Sequence, residues 1–291
     1  MNWTFAVGIV FAMSVSAVAE DSAKLKVLIV DGRNNHQWQK TTPVLKAALE
    51  SCGRFTVDVA TAPPKGKDVS TFAPKFSAYD VVLSNYNDGE LWSEATRTAF
   101  VDYVKGGGGF VVVHAGNNAF TNWPEYNDMI GLGWRGAGFG DRVTLTDDGK
   151  VERTDKGKGP GAGHGPQHEF QVIVRDAEHP ITKGLPRSWL HAKDELYHGQ
   201  RGPARDMQIL ATAFSAAKHR GTGAHEPMLW VIPYGKGRVF TTVLGHGDYS
   251  MKCVGFITTL QRGTEWAATG KVTLSAVPKD FPTAEKTSSR E

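Results

Sequence analysis

The stretch that decides the fold is Gly106-Gly107-Gly108-Gly109-Phe110-Val111-Val112-Val113-His114-Ala115-Gly116. Its apolar run has the length and composition of a buried parallel strand, entered through glycines and left through a tight turn. Ligands of open α/β sheets bind beyond the carboxyl ends of such strands, and the same corner carries the nucleophile of α/β hydrolases. Here the corner residue is His114, so we expect a base or a metal ligand in place of a serine or cysteine nucleophile.

Strand and helix patterns alternate around this run. Apolar spacing predicts strands at residues 25–30, 55–60, 80–84, 110–114, 169–175 and 207–212, a hairpin of 228–232 with 238–244, and helices at 38–52, 119–130 and 256–268. Ser93 is the expected N-cap of a further helix that Gly106 ends, and Pro43 is tolerated only in the first turn of its helix. The alternation predicts an α/β fold in which helices sandwich a mainly parallel sheet, as in flavodoxin-like three-layer proteins.

The first nineteen residues contain no charged side chain, and Ala17-Val18-Ala19 before Glu20 has the small-x-small pattern of a cleavage site. We predict a signal peptide at 1–19 and a mature protein that is secreted to a periplasmic or extracellular space. The stretch is too short and too rich in serine to span a membrane, and no other segment is a candidate. One domain is expected over 20–276, with a glycine-rich insert around 135–168 and a flexible tail at 277–291.

Composition excludes several classes of function. A formal net charge of +3 without a basic block gives no reason to expect a nucleic-acid partner. Two cysteines, Cys52 and Cys253, are too few for a disulfide scaffold, and their predicted positions at opposite ends of the sheet favour two buried thiols. There is no P-loop, no Gly-x-Ser-x-Gly turn and no dinucleotide fingerprint, so no nucleotide cofactor is expected.

Three histidines follow predicted strands. His36 comes after the first strand, His114 ends the glycine-fed strand, and His246 lies in Gly245-His246-Gly247-Asp248 after the last long strand. In a parallel sheet all three would lie at the carboxyl edge, where imidazoles can bind a divalent metal. The alternative is that each ring only caps a turn by hydrogen bonding.

Two other groups are candidates. His164 and His168, four apart in glycine-rich sequence, are either metal ligands or part of a flexible loop over a polar substrate. Glu195 and His198, three apart, share a helix face or a turn and form a plausible acid/base pair. The alternative is that this segment is only a solvated turn at the surface. The nearby Tyr197 favours a functional role, because aromatic faces beside carboxylates suit sugar rings.

Several segments together resemble the trehalose-utilisation (ThuA-like) family over residues 25–270. They are the strand ending in His114-Ala115-Gly116, residues 178–186, Asp194-Glu195-Leu196-Tyr197, and residues 234–246. The resemblance implies a class I glutamine amidotransferase-like fold in which His114 occupies the corner of the nucleophilic cysteine and His246 matches the catalytic histidine. Without that thiolate, glutaminase chemistry is excluded. The resemblance also implies sugar catabolism through 3-keto sugars, and the export signal favours glycosides met outside the cytoplasm over trehalose.

These observations predict a secreted carbohydrate-active lyase or hydrolase that acts on 3-keto-glycosides by metal-assisted acid/base chemistry. The expected catalytic residues are His114, His246, Glu195 and His198, and the expected ligands of one divalent metal, zinc or similar, are His36, His114 and His246. The expected substrate-binding residues are Trp38, Asn117, His164, His168, Tyr197 and Asp248. The predicted partner is a small carbohydrate, with no membrane association after signal cleavage, and homo-oligomerisation is left open. The alternatives are a non-catalytic sugar-binding or assembly module and a metal-dependent hydrolase of small esters or amides.

Overall fold

The computed structural model describes Met1 and residues 23–291, so the predicted signal peptide lies outside the described residues except for Met1. The strands are β1 (Leu25–Asp31), β2 (Phe55–Thr61), β3 (Val81–Ser84), β4 (Gly109–Val113), β5 (Arg142–Leu145), β6 (Val151–Thr154), β7 (Gly163–His164), β8 (His168–Val174), β9 (Ser188–Asp194), β10 (Tyr197–His198), β11 (Gln208–Phe214), β12 (His225–Tyr234) and β13 (Gly237–Thr242). The helices are α1 (Trp38–Glu50), α2 (Glu94–Gly106), α3 (Pro124–Ile130), α4 (Asp248–Met251) and α5 (Val254–Thr269). Within this described part, no helix has the length and apolarity needed to cross a membrane.

One large mixed sheet organises the molecule. Its strands follow the order β2-β1-β3-β4-β13-β12-β11-β8-β9, with the β5–β6 hairpin joined to β12. The first five strands in this order are parallel, and the others are antiparallel. All five residues of β4 are buried at the centre of the sheet, which is why its sequence is continuously apolar. The predicted α/β sandwich is therefore present, with an antiparallel extension on one side.

The helices largely follow the sequence signals. The Ser93 hydroxyl accepts the backbone N–H of Thr96 and caps α2 as predicted. Pro43 lies in the second turn of α1, not in the first, and it lacks the N–H that would bond to the carbonyl of Gln39, an exposed residue. Helix α3 begins at Pro124, later than predicted, because Phe120 has φ of 52°, which a right-handed helix does not allow.

Three regions depart from the predictions. The glycine-rich insert is not wholly irregular, since it contains the β5–β6 hairpin, whose mostly exposed second strand carries no alternating pattern. Strand β9 was not predicted, because buried polar residues such as His191 interrupt its apolar alternation. The tail expected to be flexible is held against this edge strand, where Leu190 donates its N–H to the Thr283 carbonyl at 2.7 Å. Edge strands leave such groups unpaired, so the tail completes the sheet edge.

The two cysteines are not bonded to each other. Cys52 follows α1, and Cys253 is the N-cap of α5. Helix α5 packs across β4 and β13, the two strands whose carboxyl ends lead to His114 and to the loop of His246. The candidate site forms at this edge of the sheet.

Candidate functional site

Three strand ends bring His36, His114 and His246 together. The ring centroid of His36 lies 5.1 Å from that of His114 and 4.8 Å from that of His246, and the centroids of His114 and His246 are 5.4 Å apart. His36 follows β1, His114 follows β4 and His246 follows β13, all of which are parallel strands. Their carboxyl ends therefore share one edge, where the sequence predicted the three rings to converge.

Glu195 enters the same cluster from the far side of the sheet. Its Oε2 lies 3.0 Å from His246 Nδ1 and 3.6 Å from His114 Nε2. One ligand atom from each of the four residues lies within 4.8 Å of the others. Glu195 follows β9, the strand at the end of the antiparallel half of the sheet.

The corner at His114 has a special backbone conformation. Its φ is 44°, in the left-handed region that non-glycine residues rarely occupy. A Cβ on the following Gly116 would lie 2.9 Å from the Ser84 carbonyl oxygen, so the turn packs directly against the end of β3. The His114 ring is held by a hydrogen bond from Nδ1 to the Val243 carbonyl at 2.8 Å. Because a carbonyl only accepts, Nδ1 carries the proton and Nε2 presents a lone pair to the cluster.

The His36 ring is fixed in the same way. Its Nδ1 lies 3.0 Å from the Asn34 side-chain oxygen, and the Asn34 amide nitrogen donates to the Asn85 side-chain oxygen at 3.0 Å. This orientation makes the Asn34 oxygen an acceptor, so His36 Nδ1 donates and Nε2 is free. Metal-binding histidines commonly have one ring nitrogen tied to such a partner, which orients the other.

Burial and charge set the protonation of the cluster. Burial, reinforced by the neighbouring His114 and His246, lowers the pKa of His36 to about 3. Burial alone would raise the pKa of Glu195, but the hydrogen bonds and charges of His114 and His246 outweigh it and hold this pKa well below its usual range. Burial disfavours the charged form of His246, yet the Glu195 carboxylate raises its pKa. The cluster thus combines imidazole nitrogens with an ionised carboxylate, and these form a donor set for a cation once His246 has lost its proton.

An aromatic rim lies beside the cluster. The Tyr197 ring lies 4.2 Å from the His114 ring and 4.6 Å from the Trp134 ring, measured between centroids. His164 Nε2 lies 3.5 Å from Glu195 Oε1, and His164 Nδ1 lies 2.7 Å from the Gly165 carbonyl oxygen, to which it donates. Pairing of β7 with β10 places His164 opposite Tyr197. Of the predicted substrate-binding residues, these two lie at the cluster.

The predicted pairing of Glu195 with His198 does not occur. Tyr197 and His198 form the short strand β10, not a helix turn, and His198 Nδ1 lies 3.1 Å from the Ser215 hydroxyl. Adjacent residues of a strand point to opposite faces, so Tyr197 faces His114 while His198 faces Ser215.

Two further predicted substrate-binding residues are engaged elsewhere. Asn117 is fully buried and donates to the Gln200 side chain at 2.5 Å. The His168 ring stacks on His219 with centroids 3.8 Å apart. Neither residue faces the cluster in this arrangement.

The remaining predicted substrate-binding residues, Asp248 and Trp38, line two clefts near the site. A small polar cleft of about 120 Å³ borders His36 and His246, and Asp248 lines it. Trp38 lines a separate cleft next to Arg33 and Asn34. A larger cavity of about 600 Å³ lies away from the histidines, beside α3 and Phe139, and contains none of the predicted site residues. Trp92, Trp123 and Trp189 belong to the core and offer no face to a sugar.

Sequence reasoning missed the residues that support the cluster. Asn34 orients His36, and the buried Asp194 accepts backbone N–H groups from Glu195 and His246 at 2.8 and 3.0 Å. Both residues stand beside predicted site residues in the sequence, but only the tertiary contacts distinguish them from ordinary turn residues.

Comparison with known proteins agrees with this arrangement of elements. A sequence profile for the family described as trehalose utilisation (ThuA) matches residues 26–267. A ThuA-like protein from Parabacteroides merdae is 46% identical, with a TM-score of 0.88 over 92% of this chain and 98% of that protein. A second ThuA-like protein, from Bacteroides uniformis, is 20% identical with a TM-score of 0.55 over 89% of this chain and 97% of its own, and shows a shared fold. Among curated proteins, no sequence matches the chain.

Proposed function

This chain belongs to the trehalose-utilisation (ThuA) family, and on that premise we propose that it is a carbohydrate-active enzyme. Its reaction is the cleavage of oxidised glycosides, by elimination or hydrolysis, with the help of one divalent metal ion. The leader-like first nineteen residues support action outside the cytoplasm, where glycosides other than trehalose are met.

The observation that carries the proposal is the cluster of His36, His114, Glu195 and His246, whose ligand atoms lie within 4.8 Å of one another. Three imidazole nitrogens and one carboxylate oxygen are ligands that zinc and similar divalent ions prefer. His114 and His36 each have Nδ1 committed to an oxygen, so their free nitrogens are oriented before any ion arrives. His114 Nε2 is buried without a hydrogen-bond partner, and an ion would satisfy it.

The proposed substrate follows from the chemistry that such a site performs. A ketone at C3 of a sugar acidifies the hydrogen at C2, and a divalent ion held by the cluster would supply Lewis-acid stabilisation of the negative charge that develops when this proton leaves. The electron pair of the C2–H bond passes first to the ketone and then forms the C1–C2 double bond as the C1–O bond breaks, and the departing oxygen takes up the proton from the protonated base. Water then adds across the double bond to give the hydrolysed sugar.

This chain's residues have distinct parts in that reaction. His164 Nε2, which is exposed at the rim and not engaged by the Gly165 carbonyl, accepts the C2 proton. The Glu195 Oε2 atom lies in the cluster, and its Oε1 atom lies beside His164 Nε2. One carboxylate would therefore bind the ion through Oε2 and contact the base through Oε1. Trp134, which is only half-buried, offers an aromatic face to the sugar ring, and the buried Tyr197 packs between Trp134 and His114 and holds both rings in place.

The test combines elemental analysis with turnover of a nitrophenyl 3-keto-glucoside by protein purified without an affinity tag. Stoichiometric zinc or another divalent ion, lost together with turnover in His114→Ala and Glu195→Ala, supports the proposal. His168→Ala is the control, because it also removes an imidazole, but one that stacks on His219 and lies outside the cluster. A wild-type protein that cleaves no keto-glycoside, or whose turnover survives both site substitutions, would overturn the function.

A further inference from the structure

The Asp194 side chain accepts hydrogen bonds from the backbone of both loops that carry Glu195 and His246. Its carboxylate is fully buried. One oxygen, Oδ1, accepts the N–H groups of Glu195 at 2.8 Å and His246 at 3.0 Å. The other oxygen, Oδ2, accepts the N–H of Gly245 at 2.7 Å and lies 2.8 Å from His191 Nε2. Four donors therefore converge on one carboxylate, and three of them are backbone groups of the two loops that carry Glu195 and His246.

The sheet itself does not fix these two loops relative to each other. Glu195 follows β9 at the end of the antiparallel half, whereas His246 follows β13. Strands β12, β11 and β8 separate β13 from β9 in the sheet order. The hydrogen bonds of Asp194 join the two loops directly across that gap, at the point where Glu195 Oε2 approaches His246 Nδ1 to 3.0 Å.

We propose that Asp194 is a positioning residue that sets the distance between Glu195 and His246 and so completes the cation-binding cluster. This inference rests on the proposed function, because it assigns a supporting role within that site. Asp194 itself contacts neither the substrate nor the ion. Its effect reaches the cluster through the backbone of the neighbouring residues, as outer partners of metal ligands do in other proteins.

The Asp194→Asn substitution keeps the shape of the side chain but removes its negative charge and one of its two acceptor oxygens. An asparagine side chain keeps one acceptor and replaces the other with an NH₂ group. If the NH₂ group faces His191, the imidazole can accept from it by changing tautomer, but the Gly245 N–H is left facing a donor. If it faces the other way, the N–H groups of Glu195 and His246 both lose their acceptor. In either orientation the variant loses at least one of the three backbone hydrogen bonds that Asp194 accepts from Glu195, Gly245 and His246, which together we call the clamp.

Glu265→Gln is the matched control. Glu265 is also fully buried, and its carboxylate accepts the N–H groups of Thr273 at 2.8 Å and Leu274 at 3.1 Å. It lies near the carboxyl end of α5, whereas the N-terminal end of this helix lies toward the cluster. Its loss therefore tests what removal of any buried, backbone-binding carboxylate does to the protein.

The experiment measures amide hydrogen exchange in the metal-free proteins and zinc affinity by competition with a chelator. In Asp194→Asn we expect faster exchange at Gly245, His246 or Glu195, by about 10-fold or more, since local opening governs exchange. Zinc affinity should fall by about 10- to 100-fold, the usual effect of removing an outer partner. In Glu265→Gln both quantities should keep their wild-type values.

The outcomes separate the two proposals. If the wild-type protein binds no divalent ion, the proposed metal chemistry fails, and the exchange comparison alone decides the role of Asp194. If Asp194→Asn leaves exchange and affinity unchanged, or Glu265→Gln reproduces its losses, Asp194 has no specific positioning role. Should Asp194→Asn not fold, the wild-type protein provides the test, because the Gly245 and His246 amides lie outside the strands. Protection comparable to that of Thr242 in β13 supports the clamp, and unprotected amides refute it.

Discussion

His114 Nδ1 donates a hydrogen bond to the Val243 carbonyl at 2.8 Å, which ties the corner after β4 to the end of the neighbouring β13. This bond selects the tautomer of His114 and directs Nε2 toward Glu195, 3.6 Å away. The residue has φ of 44°. The corner at the centre of the proposed site therefore combines a left-handed backbone with a ring whose direction is set by one hydrogen bond.

The strained backbone at His114 predicts an unusual order of stability among its variants. His114→Gly should be more stable than His114→Ala by about 1 kcal/mol, because an L-residue in the left-handed region carries a cost that glycine avoids. Urea denaturation of the two metal-free variants measures the difference. At an ordinary strand position the alanine variant would be the more stable, and that order would contradict the assigned conformation.

Metal binding should release a proton in mildly acidic solution. The Glu195 carboxylate raises the pKa of His246, so part of the protein carries an imidazolium there that a metal must displace. Zinc titration calorimetry at pH 6, in two buffers of different ionisation enthalpy, should detect a release approaching one proton. The release should decrease as the pH rises through the pKa of His246. A buffer-independent heat at pH 6 would show that His246 is already neutral.

The metal-free protein should lose stability as the pH falls from about 6.5 toward 3, in part because of His36. The pKa of His36 is lowered to about 3 in the folded state, while the unfolded chain retains a value near 6.5. Between these values the unfolded state binds the extra proton, so the free energy of unfolding decreases with decreasing pH.

The matched variant is His36→Gln, which cannot take up that proton. Between pH 7 and pH 5 its loss of stability should be smaller than that of the wild type, by up to about 1 kcal/mol after allowing for solvent screening of a part-exposed group. Urea denaturation at the two pH values provides the comparison. Equal losses in both proteins would mean that His36 titrates normally in the folded state.

His164 and His168 should differ sharply in their effect on turnover. His164→Asn removes the proposed base and should lower the rate of keto-glycoside cleavage by about 10²- to 10⁴-fold, with the bound metal retained. His168→Asn changes a ring that stacks on His219 and should leave the rate near that of the wild type. Steady-state kinetics with metal analysis of each sample measures both quantities. Equal activities in the two variants would remove His164 from the mechanism.

Local sequence patterns are sufficient for the parallel half of the fold and for three of the four cluster residues. The runs that became β1, β3 and β4 are continuously apolar because they are buried on both faces, and a run of that kind is visible without any tertiary knowledge. His36, His114 and His246 follow parallel strands, so one general rule brings them to a common edge. Their convergence was therefore predictable from sequence.

Glu195 was identified as a candidate but given the wrong partner. The spacing between Glu195 and His198 suits a helix face as well as a strand, and the short β10 leaves too little periodicity to choose between them. Strand β9 went unrecognised for a related reason, since His191 and Asp194 are polar residues whose burial depends on hydrogen bonds to each other and, for Asp194, to distant backbone N–H groups.

The α/β class, the order of the central elements and the edge at which three imidazoles meet follow from short-range periodicity and strand direction, so the amino-acid sequence was enough to predict them. The place of Glu195 in the cluster, and the link that Asp194 makes between its own loop and that of His246, are properties of the folded chain alone. Those contacts link residues about fifty positions apart, on strands that do not pair, and they depend on buried hydrogen bonds. No local pattern encodes such a distance, so the geometry of the site had to be read from the folded chain.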